Sequence, residues 1–282
     1  MLNYTMYFKN KILIISCALF FLCACRGSNS TMSTTILDER TDYSETGEIE
    51  GRGHVENGKR NGRWIHYYKS GAKLSEGDYS DDLMFGKWTA WYEKGKLKSI
   101  SNWINGLENG EFDTWYENGN KKDNSSFKNG KQDGKTITYY ESGKISSESF
   151  WLNGKEHGTS KSWHENDTLR SEINLINGAI VGTMRTWHSN GRIESGAVYI
   201  NGKVQGDYFI WYDNGALKER GFVGEKGFEG IVSFYFSDGK IKSKMQFIDG
   251  LKSGETINYD SLGKVLNVEI YKNDSLISVK NK

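Results

Sequence analysis

The chain has 282 residues, and its 37 Lys and Arg side chains almost balance 36 Asp and Glu, leaving a formal net charge of +1. It lacks the basic excess that binds a nucleic-acid backbone, so we expect no nucleic-acid partner. Aromatic residues reach 13%, hydrophobic residues total 36%, and proline is absent. The aromatic content disfavours a disordered chain and favours a β-rich protein that stacks rings on a sheet.

The first 24 residues have the pattern of a secretory signal peptide. Lys9 and Lys11 precede an apolar run over 12–21, and the sequence Leu-Cys-Ala-Cys follows at 22–25. A basic start, a short apolar run and a small residue before the cleavage point are typical of such peptides. The run is too short for a comfortable membrane span. Leu22, Ala24 and Cys25 resemble the lipobox of bacterial lipoproteins, in which the new N-terminal cysteine is lipidated; a plain signal peptide is the alternative.

Residues 25–42 are predicted to form a flexible tether that begins at lipidated Cys25, because a Ser/Thr-rich stretch follows the cysteine. We therefore expect a lipid-anchored protein of the bacterial cell envelope, at the outer membrane. The three cysteines all lie at or before residue 25. The rest of the chain then has no disulfide, thiolate metal ligand or cysteine nucleophile.

From residue 43 onward the sequence repeats with a period of 24. Glycine recurs at this spacing from Gly62 to Gly254, and a second series runs from Gly47 to Gly263 with Asp167 as its exception. A third series carries an aromatic ring at every step: Tyr67, Trp91, Trp115, Tyr139, Trp163, Trp187, Trp211, Tyr235 and Tyr259. The next position is also mostly aromatic, with His164 and His188 in place of tyrosine. Several series in phase indicate one structural unit copied along the chain.

Each unit contains two turn signals that separate two short strand-like segments. Asn-Gly recurs at 57–58, 105–106, 129–130, 153–154, 177–178 and 201–202, and Ser-, Asn- or Asp-Gly forms the second signal. These pairs tolerate the positive φ angles of tight hairpin turns. The segments between them have the length of strands. Small residues such as Gly77 and Gly221 recur in the second segment, where they leave space for rings of the neighbouring strand.

The predicted fold is all-β: an elongated, single-layer antiparallel β-meander of about nine 24-residue hairpin repeats. The repeat domain spans 43–274, and 275–282 form a C-terminal tail. Because neighbouring strand residues point to opposite faces, Trp88 and Tyr92 are expected on one face and Trp91 on the other. The rings at 67-type and 68-type positions should then form ladders on opposite faces.

The repeat resembles the MORN-repeat variant of bacterial proteins known as YwqK-type antitoxins. The matching pattern is NGKxxGxWxxYYxxGKL, as in residues 57–74 and 201–218. The resemblance covers roughly 43–274 and implies a β-meander that binds or scaffolds. This sequence departs from the pattern at Asp82, at Lys226-Gly227 and at Asp167. Aspartate also tolerates turn geometry, so we expect the fold to persist there.

No enzymatic motif is recognisable, and we expect no catalytic residue, cofactor or metal. A phosphate loop, a nucleophile elbow and Cys/His metal spacing are absent from the sequence. His164 and His188 are interpreted as ring-for-ring replacements of tyrosine. The sequence therefore favours a binding protein over an enzyme.

The expected function is a membrane-tethered repeat scaffold that binds an unknown protein or cell-envelope partner through its aromatic sheet surface. Exposed rings would mark this surface, and the candidates are Trp91, Trp115, Trp163, Trp187 and Trp211. One alternative is an antitoxin or immunity-type inhibitor of a toxin. Another is binding to a lipid surface or a glycan, although the near-zero net charge disfavours anionic lipid.

Overall fold

A computed structural model describes residues 38–282 of the chain. The predicted signal peptide, Cys25 and the tether up to residue 37 lie outside the described residues. Over 38–282 the chain forms β-strands and turns and contains no helix, so none is long and apolar enough to cross a membrane. Neighbouring strands pair antiparallel in chain order, which confirms the all-β meander.

The chain divides into two compact units, 1–131 and 132–282, called unit 1 and unit 2 below. The described part of unit 1 holds eight strands: β1 Asp38–Tyr43, β2 Ile49–Glu56, β3 Lys59–Tyr67, β4 Lys73–Ser80, β5 Leu83–Trp91, β6 Leu97–Ile104, β7 Leu107–Trp115 and β8 Lys121–Lys128. The two-residue strand β9, Lys131–Gln132, spans the unit boundary.

Unit 2 continues the same alternation of shorter and longer strands. Its strands are β10 Gly134–Tyr139, β11 Ile145–Leu152, β12 Lys155–Glu156, β13 Gly158–Trp163, β14 Leu169–Ile176, β15 Ala179–Trp187, β16 Ile193–Ile200, β17 Lys203–Trp211, β18 Leu217–Gly224, β19 Gly227–Tyr235, β20 Ile241–Ile248, β21 Leu251–Tyr259, β22 Val265–Lys272 and β23 Ser275–Asn281.

Both ends of the described chain differ from the sequence prediction. Residues 38–42, assigned to the tether, belong to β1, which pairs with β2 from Asp38 opposite Val55 onward. Residues 275–281, assigned to a tail, form β23 on β22. A single strand adds to an existing sheet through backbone hydrogen bonds, which need no repeat motif. The tether and tail boundaries at these residues were therefore wrong.

The two predicted turns are confirmed, and the Asp exceptions behave as expected. In the first turn Asn57 and Gly58 have φ angles of 52° and 80°, as a type I′ hairpin turn requires. Asp81 and Asp82 take the same conformation at 49° and 67°. In the second turn Asp167 has a positive φ of 66°, somewhat below the 81° to 98° of the glycines in that series.

The Gly62 series has a role that the sequence did not predict. Gly62 lies inside β3 with a φ of +78°, where residues with a side chain are strained. Gly53 of β2 pairs with Trp64 of β3, and Val55 of β2 pairs with Arg60 of β3. Three residues of β3 therefore face one residue of β2 across the bulge. The repeated glycine therefore marks a strand bulge beside the first turn.

Two different faces result from the strand alternation, and we call them the core face and the charged face. On the core face of unit 1, Trp64 is fully buried and packs with Tyr79 and Trp88. A Cβ atom on Gly77 would lie 2.2 Å from the Trp88 ring. Gly221 in unit 2 is similarly close to Tyr208, at 2.8 Å. The prediction that small residues make room for neighbouring rings is confirmed at both positions.

The core face of unit 2 holds cross-strand hydroxyl pairs in its first repeats and packed rings such as Tyr208 and Phe228 further along the chain. The pairs Thr138–Ser147, Ser162–Ser171 and Thr186–Ser195 lie 2.6, 2.6 and 2.7 Å apart between oxygen atoms. The same backbone therefore accepts an aromatic or a hydroxyl filling.

Candidate binding surface

The five candidate tryptophans each end a strand, immediately before a second turn. Trp91 and Trp115 end β5 and β7 in unit 1, whereas Trp163, Trp187 and Trp211 end β13, β15 and β17 in unit 2. Two strand spacings separate successive rings in a unit, or about 10 Å. All five are half-buried. The structure thus forms a row of two rings in unit 1 and a row of three in unit 2, which we call the tryptophan rows.

Side chains of the preceding repeat hold the backbone of each row in place. Tyr68 donates its hydroxyl hydrogen to the Trp91 carbonyl at 2.8 Å, and Tyr140 donates to Trp163 at 2.6 Å. In the same way, the Tyr92 hydroxyl donates to the Trp115 carbonyl, and the Tyr212 hydroxyl donates to the Tyr235 carbonyl. Each bridge satisfies a turn carbonyl and ties one hairpin to the next.

Two histidines preserve this bridge. The Nε2 of His164 lies 2.8 Å from the Trp187 carbonyl, and that of His188 lies 3.0 Å from the Trp211 carbonyl. A carbonyl oxygen only accepts, so both imidazoles carry their hydrogen on Nε2. The interpretation of these residues as ring-for-ring replacements is confirmed. The reason is that tyrosine and histidine both donate a hydrogen bond to the equivalent backbone carbonyl.

The two ring series do not form the predicted opposite ladders. Trp88 and Trp91 do take opposite faces, because the core face holds Trp88. Tyr92, however, lies beyond the end of β5 and within the turn. The alternation of faces applies only inside a strand. The 68-type rings are therefore bridges along the turn edge.

The tryptophans belong to the charged face. Trp211 stacks on Phe209, two residues earlier, with ring centroids 5.6 Å apart. In unit 1 the Lys73 ammonium lies 5.0 Å from the centre of the Trp91 ring. Cross-strand ion pairs occupy the middle of this face, including Lys161–Glu172 at 3.1 Å. Such exposed pairs contribute at most about 1 kcal/mol each, so they set the surface pattern more than the stability.

A row of exposed apolar side chains lies along the opposite edge of the charged face, next to the first turns. In unit 2, Leu152, Ile176 and Ile200 are 48%, 52% and 49% exposed. We call these three residues the aliphatic stripe. Sequence reasoning did not single out these residues, each of which comes directly before an Asn-Gly turn. Their 24-residue spacing was the available signal.

The described residues contain no group of His, Cys, Asp or Glu side chains arranged to hold a metal ion.

On the core face, Tyr208 donates to the Glu219 carboxylate at 2.6 Å. Burial and this bond raise the pKa of Tyr208 well above its usual value. The phenol therefore remains protonated as a donor.

Comparison with known proteins agrees with the repeat. A family model described as "MORN repeat variant" matches residues 86–105, 132–153, 156–177 and 228–249. No curated protein matches the chain. The family matches fall on strand pairs with the turns and bulge glycines described above.

Solved structures resemble the chain only loosely. The crystal structure titled TcdB2-TccC3-Cdc42 is 11% identical over 87% of this chain, with a TM-score of 0.18. The structure titled TcdB2-TccC3-TEV is 12% identical over 84%, with a TM-score of 0.19. This chain spans 15% and 16% of those chains, respectively. Similarity at this level supports no functional argument. The four family matches and the repeated hairpin show that the chain contains MORN repeats of the variant type.

Proposed function

We propose that this protein is a non-enzymatic scaffold, tethered to the bacterial envelope by lipidated Cys25, that binds a protein partner through the tryptophan rows. The supporting observation is the layout of the charged face of unit 2. Trp163, Trp187 and Trp211 line one edge, the aliphatic stripe lines the other, and ion pairs lie between them.

This pattern suits a protein surface better than a lipid surface or a nucleic acid. Protein interfaces combine aromatic anchors with apolar contacts and a polar surround. The Lys161–Glu172 pair carries both signs of charge, so it provides no uniform field for phosphate groups. The half-buried rings are also rigid before binding, which lowers the entropy lost on association.

The experiment is chemical cross-linking of the lipidated protein in its own cells, followed by capture and mass spectrometry. A Trp163→Ala/Trp187→Ala double variant should lose the recurrent partner, because aromatic hot spots commonly contribute at least about 2 kcal/mol each. The matched control is Phe150→Ala/Phe222→Ala, which removes two rings that are 45% and 43% exposed on the same face but outside the row. Equal capture by both double variants would contradict the proposal.

The same samples address the alternatives. A captured toxin whose activity falls on co-expression would identify an immunity-type inhibitor. Capture of glycan or lipid without protein would replace the protein partner by an envelope polymer or the membrane surface.

A further inference from the structure

A pocket of about 430 Å³ opens on the core face of unit 2. Strands β16, β17, β18 and β19 contribute its walls, and most of the lining is apolar. The apolar side chains that line it include Ala197, Val204, Ile210, Val223 and Phe228. A volume of this size is typical of small-molecule sites. The pocket is separate from the tryptophan rows and the aliphatic stripe, which belong to the charged face.

The Tyr208 ring is fixed on one side of the pocket and leaves the other side open. A Cβ atom on Gly221, the partner of Tyr208 on β18, would lie 2.8 Å from this ring. The partner of Tyr208 on β16 is Ala197, whose side chain is a single methyl group. Phe228 packs against Tyr208 with ring centroids 5.8 Å apart, and it is 37% exposed. The pocket therefore has a buried ring as its floor and an accessible ring at its rim.

One carboxylate lies in this apolar pocket. Glu219 lines the pocket, and its Oε1 accepts the Tyr208 hydroxyl hydrogen at 2.6 Å. The Glu219 side chain is therefore on the same face as the ring, and it is half-buried. Over 38–282 its Oε2 has no hydrogen bond and its charge has no cation within 4 Å. Both cross-strand partners of Glu219, Ile210 and Phe234, are apolar.

The hairpin itself does not require a carboxylate at this position. Between 75 and 267, the positions spaced by 24 from Glu219 hold serine six times and Asn267 once. The other acid in this series is Asp123 of unit 1. Both of its oxygens accept hydrogen bonds, one from Thr114 and one from Ser125. Glu219 differs from all of these because it carries a negative charge with an unused acceptor oxygen.

This combination selects the charge of a ligand. A neutral apolar molecule in the pocket would remove water from the Glu219 carboxylate and offer it no partner, which costs free energy. An anion would be repelled by the same carboxylate. An ammonium ion would donate a charge-assisted hydrogen bond to the unused Oε2 and compensate the charge.

We propose that this pocket binds an organic ammonium ion that carries an apolar group of about the size of a phenyl ring. The ammonium donates to Oε2 of Glu219, while the Tyr208 hydroxyl continues to donate to Oε1. The apolar group occupies the space above Ala197 and contacts the Phe228 ring. This site does not depend on the proposed use of the charged face.

Calorimetric titration of the full chain at low salt tests this proposal with four probes: phenethylammonium, phenethyl alcohol, phenylpropionate and methylammonium. The first three share one apolar group and differ in charge, whereas methylammonium keeps the charge without the ring. Phenethylammonium should bind at least about tenfold more tightly than each other probe, since it alone satisfies both the carboxylate and the apolar wall. Titration at two temperatures ensures a measurable heat, because burial of apolar surface changes the heat capacity.

Two variants separate the charge from the cavity. Glu219→Gln keeps an acceptor for Tyr208 and should weaken phenethylammonium about tenfold, with phenethyl alcohol unchanged. Ala197→Ile fills the space with the residue found at the equivalent Ile173, and it should weaken both probes alike. The matched control is Glu255→Gln, which changes an exposed acid of β21 outside the pocket and should alter neither affinity.

The other outcomes overturn the proposal. Equal affinity for phenethyl alcohol would show an apolar cleft without charge selection, and tighter binding of phenylpropionate would show an anion site. Equal affinity for methylammonium would reduce Glu219 to a surface charge. No heat with any probe, in a chain whose circular dichroism is that of a folded sheet, would make the Tyr208–Glu219 pair purely structural. The unaltered protein gives each of these outcomes, so a variant that fails to fold does not obscure the result.

Discussion

The core faces of unit 1 and unit 2 share one backbone plan but have different contents. In unit 1, Trp64, Tyr79 and Trp88 interlock around His66. In unit 2, the positions equivalent to Trp64 hold Thr136 and Ser160 in the first repeats and a ring again at Tyr208, with hydroxyl pairs such as Ser162–Ser171 beside them. Turn residues and bulge glycines are nearly the same in both. The comparison shows that turns, bulges and bridges define the hairpin, while the face residues are free to differ and to specialise.

The largest effect should come from emptying the aromatic core of unit 1. Trp64→Ala removes a fully buried ring and should lower the free energy of unfolding by about 3–5 kcal/mol. The equivalent change in unit 2, Ser160→Ala, removes a hydroxyl that donates to the Glu148 carbonyl at 3.3 Å. It should cost about 1 kcal/mol or less. Urea denaturation measures both, and equal losses would show that the two cores do not differ in energy.

A second test adds a single methyl group to one strand glycine in each unit. Gly77→Ala places a Cβ atom within 2.2 Å of the Trp88 ring, so it should destabilise by about 1–3 kcal/mol. Gly196→Ala in unit 2 is the control on the charged face, opposite Arg185 and Phe209, since its nearest neighbour would be a backbone oxygen 3.8 Å away. That substitution should be close to neutral. Comparable melting temperatures for the two variants would contradict the packing described for unit 1.

The smallest effect is expected at the bridges, where the two units should behave alike. Tyr92→Phe deletes the 2.7 Å bond to the Trp115 carbonyl and should cost about 0.5–1.5 kcal/mol. His164→Tyr in unit 2 replaces one donor by another and should stay within about 0.5 kcal/mol of the unaltered chain. Thermal unfolding measures both. A large loss in His164→Tyr would mean that the imidazole has a role beyond the bridge.

The sequence predicted the hairpin, the turns and the ring-for-ring histidines, because these depend on local φ angles and on a period that can be counted. It did not predict the Gly62-type bulge. A glycine near a turn has the same sequence signal whether it ends a strand or bends one. It also missed the Tyr68-type bridge, since the partner carbonyl lies one repeat away and carries no side-chain signature.

The candidate surfaces were predictable to different degrees. The tryptophan rows follow from the 24-residue spacing, and the structure brings Trp163, Trp187 and Trp211 into one register. The aliphatic stripe is defined by the exposure of its side chains. The alternation of residues along a strand does not predict this exposure for residues beside a turn.

The proposed use of the tryptophan rows is tested most directly by oxidative footprinting of the lipidated protein, in its envelope and after purification. The oxidation rate of each aromatic residue is read by mass spectrometry. The account predicts that Trp163, Trp187 and Trp211 are protected in the envelope, while Phe150 and Phe222 react equally in both samples. Unchanged tryptophan oxidation, or protection confined to the two phenylalanines, would contradict it.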